Sequence, residues 1–550
     1  MDRDVARQPR AASAQGLAPA AILHSQGCAS GLATQQWTGP AHSGFLLAGP
    51  LLRICRNSPW LWLLAAVLLL PGCASRYFRA AGPPPVEPAR HALADLRWHE
   101  YWTGIIFNGD KLGFTHTAVK PISDEPGRYE IRSEASLLIR LIGFGKRIQL
   151  HAVDVVDADL TLVRFDYDYN IDGNALQISG TRDGGGLHTI VKNAGRTSEQ
   201  RIRASTVVYP TSVMDLYPVV NGLKVGAQYR FQAFSGETQS LLDVRQSVEG
   251  YETSDLFLGS AYKVRTSATG HNVTTWIDAS GLPLLELALE GVMISALEGE
   301  SEARRYLALA ALNKRDTLIE FSLVKPDRPI RDPRRTSRMR IAISGAPVAP
   351  PASAAQRCEP AAGGWVCDII AGADGSLPGT ATPAEDDLGS TVTVPTDARA
   401  IRELARDIAG EAPTPEEQVR RLLAWIHNHI ERAPVDSFSA LDVLQTRQAE
   451  CQGHAYLYTA FARSLGIPTR VVSGLVYSEQ FKGFLYHSWS ISFVNGRWLA
   501  VDPTFSQIEA DATHITVTEG DSAAELLPLI EWVGKVRIRV LETEPVATRR

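Results

Sequence analysis

A cysteine in the carboxy-terminal third of the chain stands at the start of a predicted helix. One face of the run after Cys451 is apolar, and Gly466 and Pro468 favour the end of the helix. Unpaired N–H groups and the macrodipole at a helix amino terminus favour a thiolate, so we expect a lowered pKa for the Cys451 thiol. The same N–H groups can stabilise an oxyanion on an attacked carbonyl. The alternative is an inert, buried thiol.

A predicted β-hairpin follows the helix and carries a histidine and an aspartate. Residues 485–494 alternate between apolar and polar types, and Asn495-Gly496 is a strong signal for a two-residue type I′ turn. Such a turn pairs residue 494 with 497 and, counting back along both strands, 489 with 502. His487 and Asp502 then lie on one face as diagonal neighbours, with α-carbons roughly 7–8 Å apart. A one-residue bulge would separate them.

These three residue types together can perform nucleophilic catalysis. An imidazole takes the proton of the thiol, or holds the thiolate as an ion pair, and then protonates the leaving amine. A carboxylate fixes the tautomer of the imidazole. The spacing therefore predicts a triad in which Cys451 is the nucleophile, His487 the base and Asp502 the residue that orients it.

The same segments resemble the transglutaminase-like superfamily. The resemblance rests on Glu-Cys-Gln-Gly-His-Ala at 450–455, Leu-Gly-Ile-Pro at 465–468, Tyr-His-Ser-Trp at 486–489 and Gly-Arg-Trp-Leu-Ala-Val-Asp-Pro-Thr at 496–504. It covers residues 395–520 and implies a papain-like core, in which a helix bearing the cysteine packs on an antiparallel sheet bearing the other two residues. It also implies amide chemistry through an acyl-thioester, without a cofactor. Many members have Gly-Asp or Gly-Glu before the cysteine, where this chain has Ala449-Glu450.

Other polar residues near the triad have less specific signals. We expect His454 to cap or pack, and Gln452 is an alternative contributor to the oxyanion site. Asp511 and His514 are only two ligand types, without a third at suitable spacing, so they predict structural hydrogen bonding rather than a metal site. No calcium-binding loop occurs in the sequence, so no metal is expected.

The amino-terminal region has the pattern of a secretory signal. Two arginines, Arg53 and Arg56, precede the apolar run 60–70, which is followed by Pro-Gly-Cys73. This ending resembles a bacterial lipobox, so residues 1–72 are predicted to be leader and signal, Cys73 the lipidated residue and 73–90 a tether. A plain cleaved signal or an uncleaved anchor is the alternative. Because signals start near the amino terminus, residues 1–50 are interpreted as a mis-assigned extension.

Composition and cysteine usage limit the cell location and the partners. Hydrophobic and charged residues make up 45% and 21% of the chain and the net charge is −5, without a basic stripe that would predict nucleic-acid binding. We expect a lipid-anchored, periplasm-facing envelope protein. Its resemblance to bacterial lipoproteins that lack Asp after the lipidated cysteine favours the outer membrane over the inner. The turn-rich stretch between Cys358 and Cys367 permits a disulfide in an oxidising compartment, or two separate thiols.

Changes in sequence period define the predicted domains. Residues 91–335 read as strands and turns, such as 165–171 followed by Asp172-Gly173. Residues 336–394 read as a connecting segment with a hairpin around the cysteine pair, 395–525 as the catalytic domain and 526–550 as a helix or strand tail. Helices are expected at 397–409 and from Pro415, with Thr414 as its cap. The fold class is α+β: a papain/transglutaminase-like core after a large, mostly antiparallel β domain.

The predicted function is that of an envelope thiol enzyme acting on amide bonds, with hydrolysis favoured over cross-linking. Its partners would be protein, peptide or peptidoglycan amides, and the membrane through a lipid anchor. The alternative is a binding or scaffold lipoprotein in which the β domain is the working part and the core is inactive.

Overall fold

The computed structural model describes residues 77–546, apart from 108, 142–143, 205–206, 269–270, 307–321, 347, 354, 373–381, 522–524, 526–528, 530–531 and 533. The predicted leader at 1–72 and the proposed lipidation site Cys73 lie outside the described residues. Those described belong to a compact unit that spans residues 71–550. No helix in the described part of the chain is both long and apolar enough to cross a membrane.

A large sheet accounts for most of the amino-terminal half. Its sixteen described strands run in the spatial order β10-β11-β12-β13-β14-β15-β16-β2-β3-β4-β5-β6-β7-β8-β9, with β1 paired to β12. All pairs are antiparallel except β10 with β11. The strands are β1 Phe78–Ala80, β2 Glu100–Phe107, β3 Asp110–Pro121, β4 Arg128–Leu141, β5 Phe144–Asp157, β6 Leu162–Ile171, β7 Asn174–Asp183, β8 Gly186–Asn193, β9 Arg196–Arg203, β10 Tyr209–Pro210, β11 Gln228–Ser235, β12 Ser240–Ser254, β13 Phe257–Ala268, β14 His271–Asp278, β15 Pro283–Ala288 and β16 Met293–Glu298.

Alternating burial and tight turns explain why this region forms a sheet. The predicted turn at Asp172-Gly173 joins β6 to β7, and both residues have positive φ angles, 52° and 94°. Two short helices, α1 Leu216–Asn221 and α2 Glu300–Arg304, pack against the sheet. Short 3₁₀ helices are found at Leu93–Asp95, Thr211–Val213, Leu289–Gly291, Pro333–Arg335 and Glu385–Leu388. The prediction of a large, mostly antiparallel β domain is confirmed.

Two predicted linkers contain regular strands instead. The described part of the tether 73–90 includes β1, which pairs with β12. The connecting segment 336–394 holds β17 Thr336–Ser344, β18 Gln356–Ala361 and β19 Gly364–Ile370, in a sheet of order β18-β19-β17-β26 with β26 at Arg537–Pro545. The predicted hairpin around the cysteine pair is confirmed as β18 and β19. The strand β17 was not predicted, because the flanking Gly and Pro residues obscured the buried alternation of Met339, Ile341 and Ile343. Cys358 and Cys367 pair across β18 and β19 and are joined by a disulfide.

The carboxy-terminal region packs helices against a second four-stranded sheet. Its helices are α3 Arg399–Ala409, α4 Pro415–His429, α5 Ala440–Thr446 and α6 Cys451–Ser464. The sheet has the order β24-β23-β22-β25, with β22 Thr469–Ser478, β23 Gly483–Val494, β24 Arg497–Val501 and β25 Ile515–Glu519, and a parallel pair joins β20 Glu431–Arg432 to β21 Gln448–Ala449. The predicted helices are confirmed, and the Thr414 side chain caps α4 by accepting from the Glu417 N–H at 3.2 Å.

Buried polar contacts join the β domain to the helical region. Asn193, at the end of β8, donates its amide to both carboxylate oxygens of Asp442 on α5, each at 3.2 Å. The Ser439 hydroxyl, which caps α5, donates to the Asn193 side-chain oxygen. Asn174 donates to the carbonyl of Asp436 at 2.5 Å. The tips of two hairpins in the large sheet therefore hold the segment that leads into the Cys451 helix.

Candidate active site

Helix α6 places Cys451 at its first position, after Glu450 as the N-cap residue. Hydroxyl pairs fix this helix on strand β23. Tyr458 Oη lies 2.8 Å from Ser492 Oγ, and Thr459 Oγ1 lies 3.0 Å from Ser490 Oγ. Because these hydroxyl groups are buried, their hydrogen bonds set the position of the helix along the strand.

The β23–β24 hairpin brings His487 and Asp502 together. Its register runs from Val494↔Arg497 to Ser490↔Val501 without a bulge, as predicted from the two-residue loop. His487 Nε2 donates to Asp502 Oδ2 at 2.8 Å. The other carboxylate oxygen, Oδ1, accepts the backbone N–H groups of Thr504 at 2.7 Å and Phe505 at 3.0 Å. The carboxylate is therefore fixed on both sides, and the predicted imidazole–carboxylate contact is confirmed.

The sulfur of Cys451 lies beside the backbone of the histidine strand. The N–H groups of Ser488 and Gln452 donate hydrogen bonds toward the sulfur, which lower its pKa. Burial, followed by the charge of Glu450, outweighs them and raises the pKa of the Cys451 thiol to about 12. The predicted lowering of this pKa was wrong, because the helix terminus that favours a thiolate is itself packed into the core.

The imidazole of His487, the predicted base, is also uncharged at neutral pH. Burial lowers the pKa of His487 below its usual value, and Asp502 only partly offsets this effect. With Nε2 bonded to Asp502, Nδ1 is the ring nitrogen left to take a proton from the thiol. The resting pair is thus a thiol and a neutral imidazole, and an ion pair forms only when the proton passes between them.

A second histidine, His514, bonds to the same carboxylate. His514 Nε2 donates to Asp502 Oδ2 at 3.0 Å, and its Nδ1 donates to the Asp511 carbonyl at 2.9 Å. His514 immediately precedes β25, which pairs with β22. The two strands are close at Gly474 of β22, where an added Cβ would lie 1.9 Å from the carbonyl oxygen of Ile515. The predicted hydrogen-bonding role of Asp511 and His514 is confirmed, but their place beside Asp502 was not predicted.

Neighbouring charges determine the protonation states of His514 and its partners. Burial by itself lowers the pKa of His514, but Asp502 and Asp511 outweigh burial and raise it to about 9. Burial raises the pKa of Asp502, yet the two imidazoles outweigh it and hold that pKa far below its usual range. Asp511 also forms an ion pair with Arg334, Nη1 to Oδ2, at 2.8 Å. At neutral pH, His487 is neutral and the side chains that follow it in this row of contacts alternate in charge. They are anionic Asp502, cationic His514, anionic Asp511 and cationic Arg334.

Aromatic contacts enclose the imidazole of His487. The ring of Phe505 stacks on it with centroids 4.9 Å apart and planes at 18°. The guanidinium groups of Arg334 and Arg432 lie 4.4 and 5.2 Å from the centroid of the same phenyl ring. Phe505 therefore contacts the imidazole and both guanidinium groups, and its stacking helps to hold the imidazole plane.

Among the described residues, one group of three potential metal ligands has donor atoms within 4.8 Å of one another: His487, Asp502 and His514. Both imidazoles approach the same carboxylate oxygen, at 2.8 and 3.0 Å, which are ordinary hydrogen-bond lengths. These hydrogen bonds account for the close approach of the three side chains.

The remaining predicted neighbours have packing roles. The expectation for His454 was to cap or pack: it is buried and its Nδ1 donates to the Glu450 carbonyl at 2.8 Å, so it packs within the helix. The side chain of Gln452, the alternative oxyanion residue, donates to the Tyr456 hydroxyl at 2.6 Å.

Comparisons with known proteins agree with this geometry. Residues 402–503, which contain all three predicted triad positions, match the transglutaminase-like superfamily. The mouse kyphoscoliosis peptidase is 31% identical over 143 residues, covering 23% of this chain and 21% of the relative. The human kyphoscoliosis peptidase is 32% identical over 120 residues, covering 19% and 18%. The chain thus spans about a fifth of the length of these curated relatives.

The solved structures that match have lower sequence identity to this chain than the curated relatives do. A candidate cysteine protease from Cytophaga hutchinsonii is 16% identical with a TM-score of 0.26, and the match covers 40% of this chain and 88% of that one. A β-barrel-like protein from Brucella abortus is 13% identical with a TM-score of 0.28, covering 36% and 95%. Likenesses of this size do not establish a common fold.

Proposed function

We propose that the transglutaminase-like domain at residues 402–503 acts on amide bonds through an acyl-thioester on Cys451. The observation that supports this most is the hydrogen bond of His487 to a doubly fixed Asp502, with the N–H of the next residue, Ser488, directed at the Cys451 sulfur. A half-buried thiol that contacts the strand carrying a fixed base has the arrangement that thiol enzymes need. The same arrangement favours an enzyme over a scaffold with an inactive core.

The reaction begins from the neutral pair. His487 accepts the thiol proton as the sulfur attacks the carbonyl carbon, and the resulting imidazolium is stabilised by Asp502. Backbone N–H groups at the start of α6 stabilise the oxyanion of the tetrahedral intermediate. His487 then gives its proton to the leaving amine as the C–N bond breaks, which leaves an acyl group on Cys451.

Release of the acyl group repeats these roles. His487 takes a proton from water, the hydroxide attacks the thioester, and the carboxylic acid leaves as the sulfur recovers its proton. A primary amine in place of water would give a new amide instead. We favour water because the matched relatives are named peptidases. Protein, peptide or peptidoglycan amides are the proposed substrates.

The reaction class is tested by product analysis. The protein and its Cys451→Ala variant are incubated with peptidoglycan, and separately with a glutamine-containing protein plus a primary amine, and the products are read by mass spectrometry. We expect Cys451-dependent release of peptides with gain of water. Amine incorporation would replace the hydrolase proposal by a transferase, and equal products from the variant would reject Cys451 as the nucleophile. His427→Gln, an exposed residue on α4, is the matched control.

The proposal includes location in the bacterial envelope through lipid on Cys73, with the outer membrane favoured over the inner. It is supported by the signal-like sequence at 53–73 and by the Cys358–Cys367 disulfide, which suits an oxidising compartment. Cells supplied with a labelled fatty acid should attach it to the wild type and not to Cys73→Ala. Equal labelling, or a wild type recovered in the cytoplasm, would reject this part of the proposal.

A further inference from the structure

We propose that His514 is a positioning residue for the triad, acting on His487 through the carboxylate that the two histidines share. The inference rests on the proposed function and deepens it. His514 and its partners Asp511 and Arg334 lie outside residues 402–503, so the match to the transglutaminase-like superfamily does not assign them a role.

The geometry distinguishes His514 from an ordinary buried histidine. Its two ring nitrogens bind two different groups, Asp502 Oδ2 at 3.0 Å and the Asp511 carbonyl at 2.9 Å, and this fixes the plane of the ring. Asp502 Oδ2 also accepts from His487 Nε2, at 2.8 Å, so the two imidazoles meet at one oxygen. Any shift of Asp502 toward one imidazole lengthens its bond to the other.

Asp511 is itself held in place by several groups. Its Oδ2 is 2.8 Å from Arg334 Nη1 and accepts from Gln507 Nε2 at 3.0 Å. Its Oδ1 accepts the Thr513 N–H at 2.9 Å. Arg334 comes from the segment just before β17 and also donates to the Tyr477 carbonyl at 2.5 Å. A segment remote in sequence thus supports the orientation of the catalytic carboxylate.

The charge on His514 has a second effect, on the strength of the base. A cation that shares the carboxylate with His487 disfavours a second cation there, and the charge of His514 accordingly lowers the pKa of His487. The other charged or titratable groups around the two imidazoles are Asp502, Asp511, Arg334, His454, Cys451 and Arg432, which lies against Phe505. Of these, only Asp502 and Asp511 hydrogen-bond His514.

Two substitutions separate the two effects. His514→Gln keeps a donor for Asp502 and removes the charge, whereas His514→Ala removes both. The readout is the rate of Cys451 alkylation by iodoacetamide between pH 5 and 9, followed on the Cys451 peptide by mass spectrometry. This readout needs no knowledge of the natural substrate.

With His514→Gln we expect the acid limb of the profile to move to higher pH. Without the neighbouring cation His487 is protonated more easily, so alkylation at the foot of the limb slows by about 3- to 10-fold while the plateau is kept. With His514→Ala the plateau itself should fall by about tenfold or more, since Asp502 loses an anchor. Asp511→Asn keeps the imidazole and weakens its charge, and should move the limb in the same direction as His514→Gln.

The outcomes separate failure of the inference from failure of the proposed function. If His487→Ala leaves the alkylation rate of Cys451 unchanged, the triad itself is rejected. If His487→Ala slows alkylation but all three variants keep the wild-type limb and plateau, only the role of His514 is rejected. His427→Gln serves as the matched control, and each variant is first shown to unfold cooperatively, so that a folding defect at one position leaves the others to decide.

Discussion

The β domain and the transglutaminase-like domain each bury an aspartate, with opposite consequences for its pKa. Asp154 on β5 accepts hydrogen bonds from the hydroxyls of Tyr167 and Ser212, both at 2.6 Å. Asp502 accepts from two imidazoles and two backbone N–H groups. Burial raises the pKa of Asp154 to about 6, because neutral hydroxyls offset burial only in part. The pKa of Asp502 is instead held far below its usual range, because its imidazole partners outweigh burial.

The difference shows what lowers the pKa of a buried carboxylate. Hydrogen bonds from neutral hydroxyls offset burial only in part, whereas partners that carry or can accept positive charge outweigh it. Asp154 has the environment of a structural residue. Asp502 has the environment of a carboxylate that can stabilise a cation on either neighbouring imidazole.

The largest expected effect comes from removing the charge at the catalytic position. Asp502→Asn keeps the shape but cannot fix the His487 tautomer, and we expect kcat/KM to fall by about 10³-fold or more. The matched change Asp154→Asn should leave kcat/KM within about twofold. Steady-state rates on a common substrate measure both, and a similar loss in the two variants would contradict the distinction between these aspartates.

A smaller effect is expected on stability, through His514. Its pKa in the folded protein, about 9, is above the usual value of about 6.5, so the folded state binds the proton more tightly. The stabilisation is complete below about pH 6.5 and is lost as the pH rises through 9, by about 3 kcal/mol. Urea unfolding at pH 6.5 and 9.5 measures it. His514→Gln should flatten this dependence, and an equally steep dependence in the variant would assign it to other groups.

Asp154 should show a stability effect at a lower pH. Its pKa in the folded protein, about 6, lies above its usual value near 4, so its contribution is present below about pH 4 and is lost as the pH rises through 6. Asp154→Asn should therefore stabilise the protein at pH 7 by about 2 kcal/mol and change little at pH 4. The hydroxyls of Tyr167 and Ser212 can rotate to accept from the new amide. Thermal unfolding at both pH values measures this, and destabilisation at pH 7 would show that the Asp154 anion is favourable.

The smallest expected effect lies where the two regions meet. Asn193→Ala leaves Asp442 and Ser439 without their buried amide partner and should destabilise the protein by about 1–2 kcal/mol. Arg196→Ala removes an ion pair to Asp397, whose side chain is 56% exposed, and should cost less than about 1 kcal/mol. Urea unfolding compares the two variants. A larger loss of unfolding free energy in Arg196→Ala than in Asn193→Ala would contradict the stabilising role of the buried Asn193 contact between the two regions.

Local patterns predicted much of the candidate site. Asn495-Gly496 fixed the hairpin register, and that register placed His487 beside Asp502 because strand pairing is strictly periodic. The helix start at Cys451 and the Thr414 cap follow from residue types within a few positions. These features depend on contacts between residues close in sequence.

The features that the sequence did not predict depend on distant contacts. His514 reaches Asp502 only because β25 pairs with β22, and Arg334 reaches Asp511 from 177 residues away. The burial that raises the Cys451 pKa comes from packing around α6, which helix position alone does not reveal. Likewise β17 pairs with β26, and the whole transglutaminase-like domain lies between them in sequence, so the Gly- and Pro-rich surroundings of β17 read as a linker.

The central claim, an acyl-thioester on Cys451 formed with His487 as the base, is tested most directly by trapping that intermediate. The protein is mixed with p-nitrophenyl acetate, quenched in acid and digested, and the acetyl group is located by mass spectrometry. The account predicts acetylation of Cys451 in the wild type and its loss, or formation at least about a hundredfold slower, in His487→Ala. Equal acetylation in the two proteins, or acetyl groups found only on other residues, would contradict it.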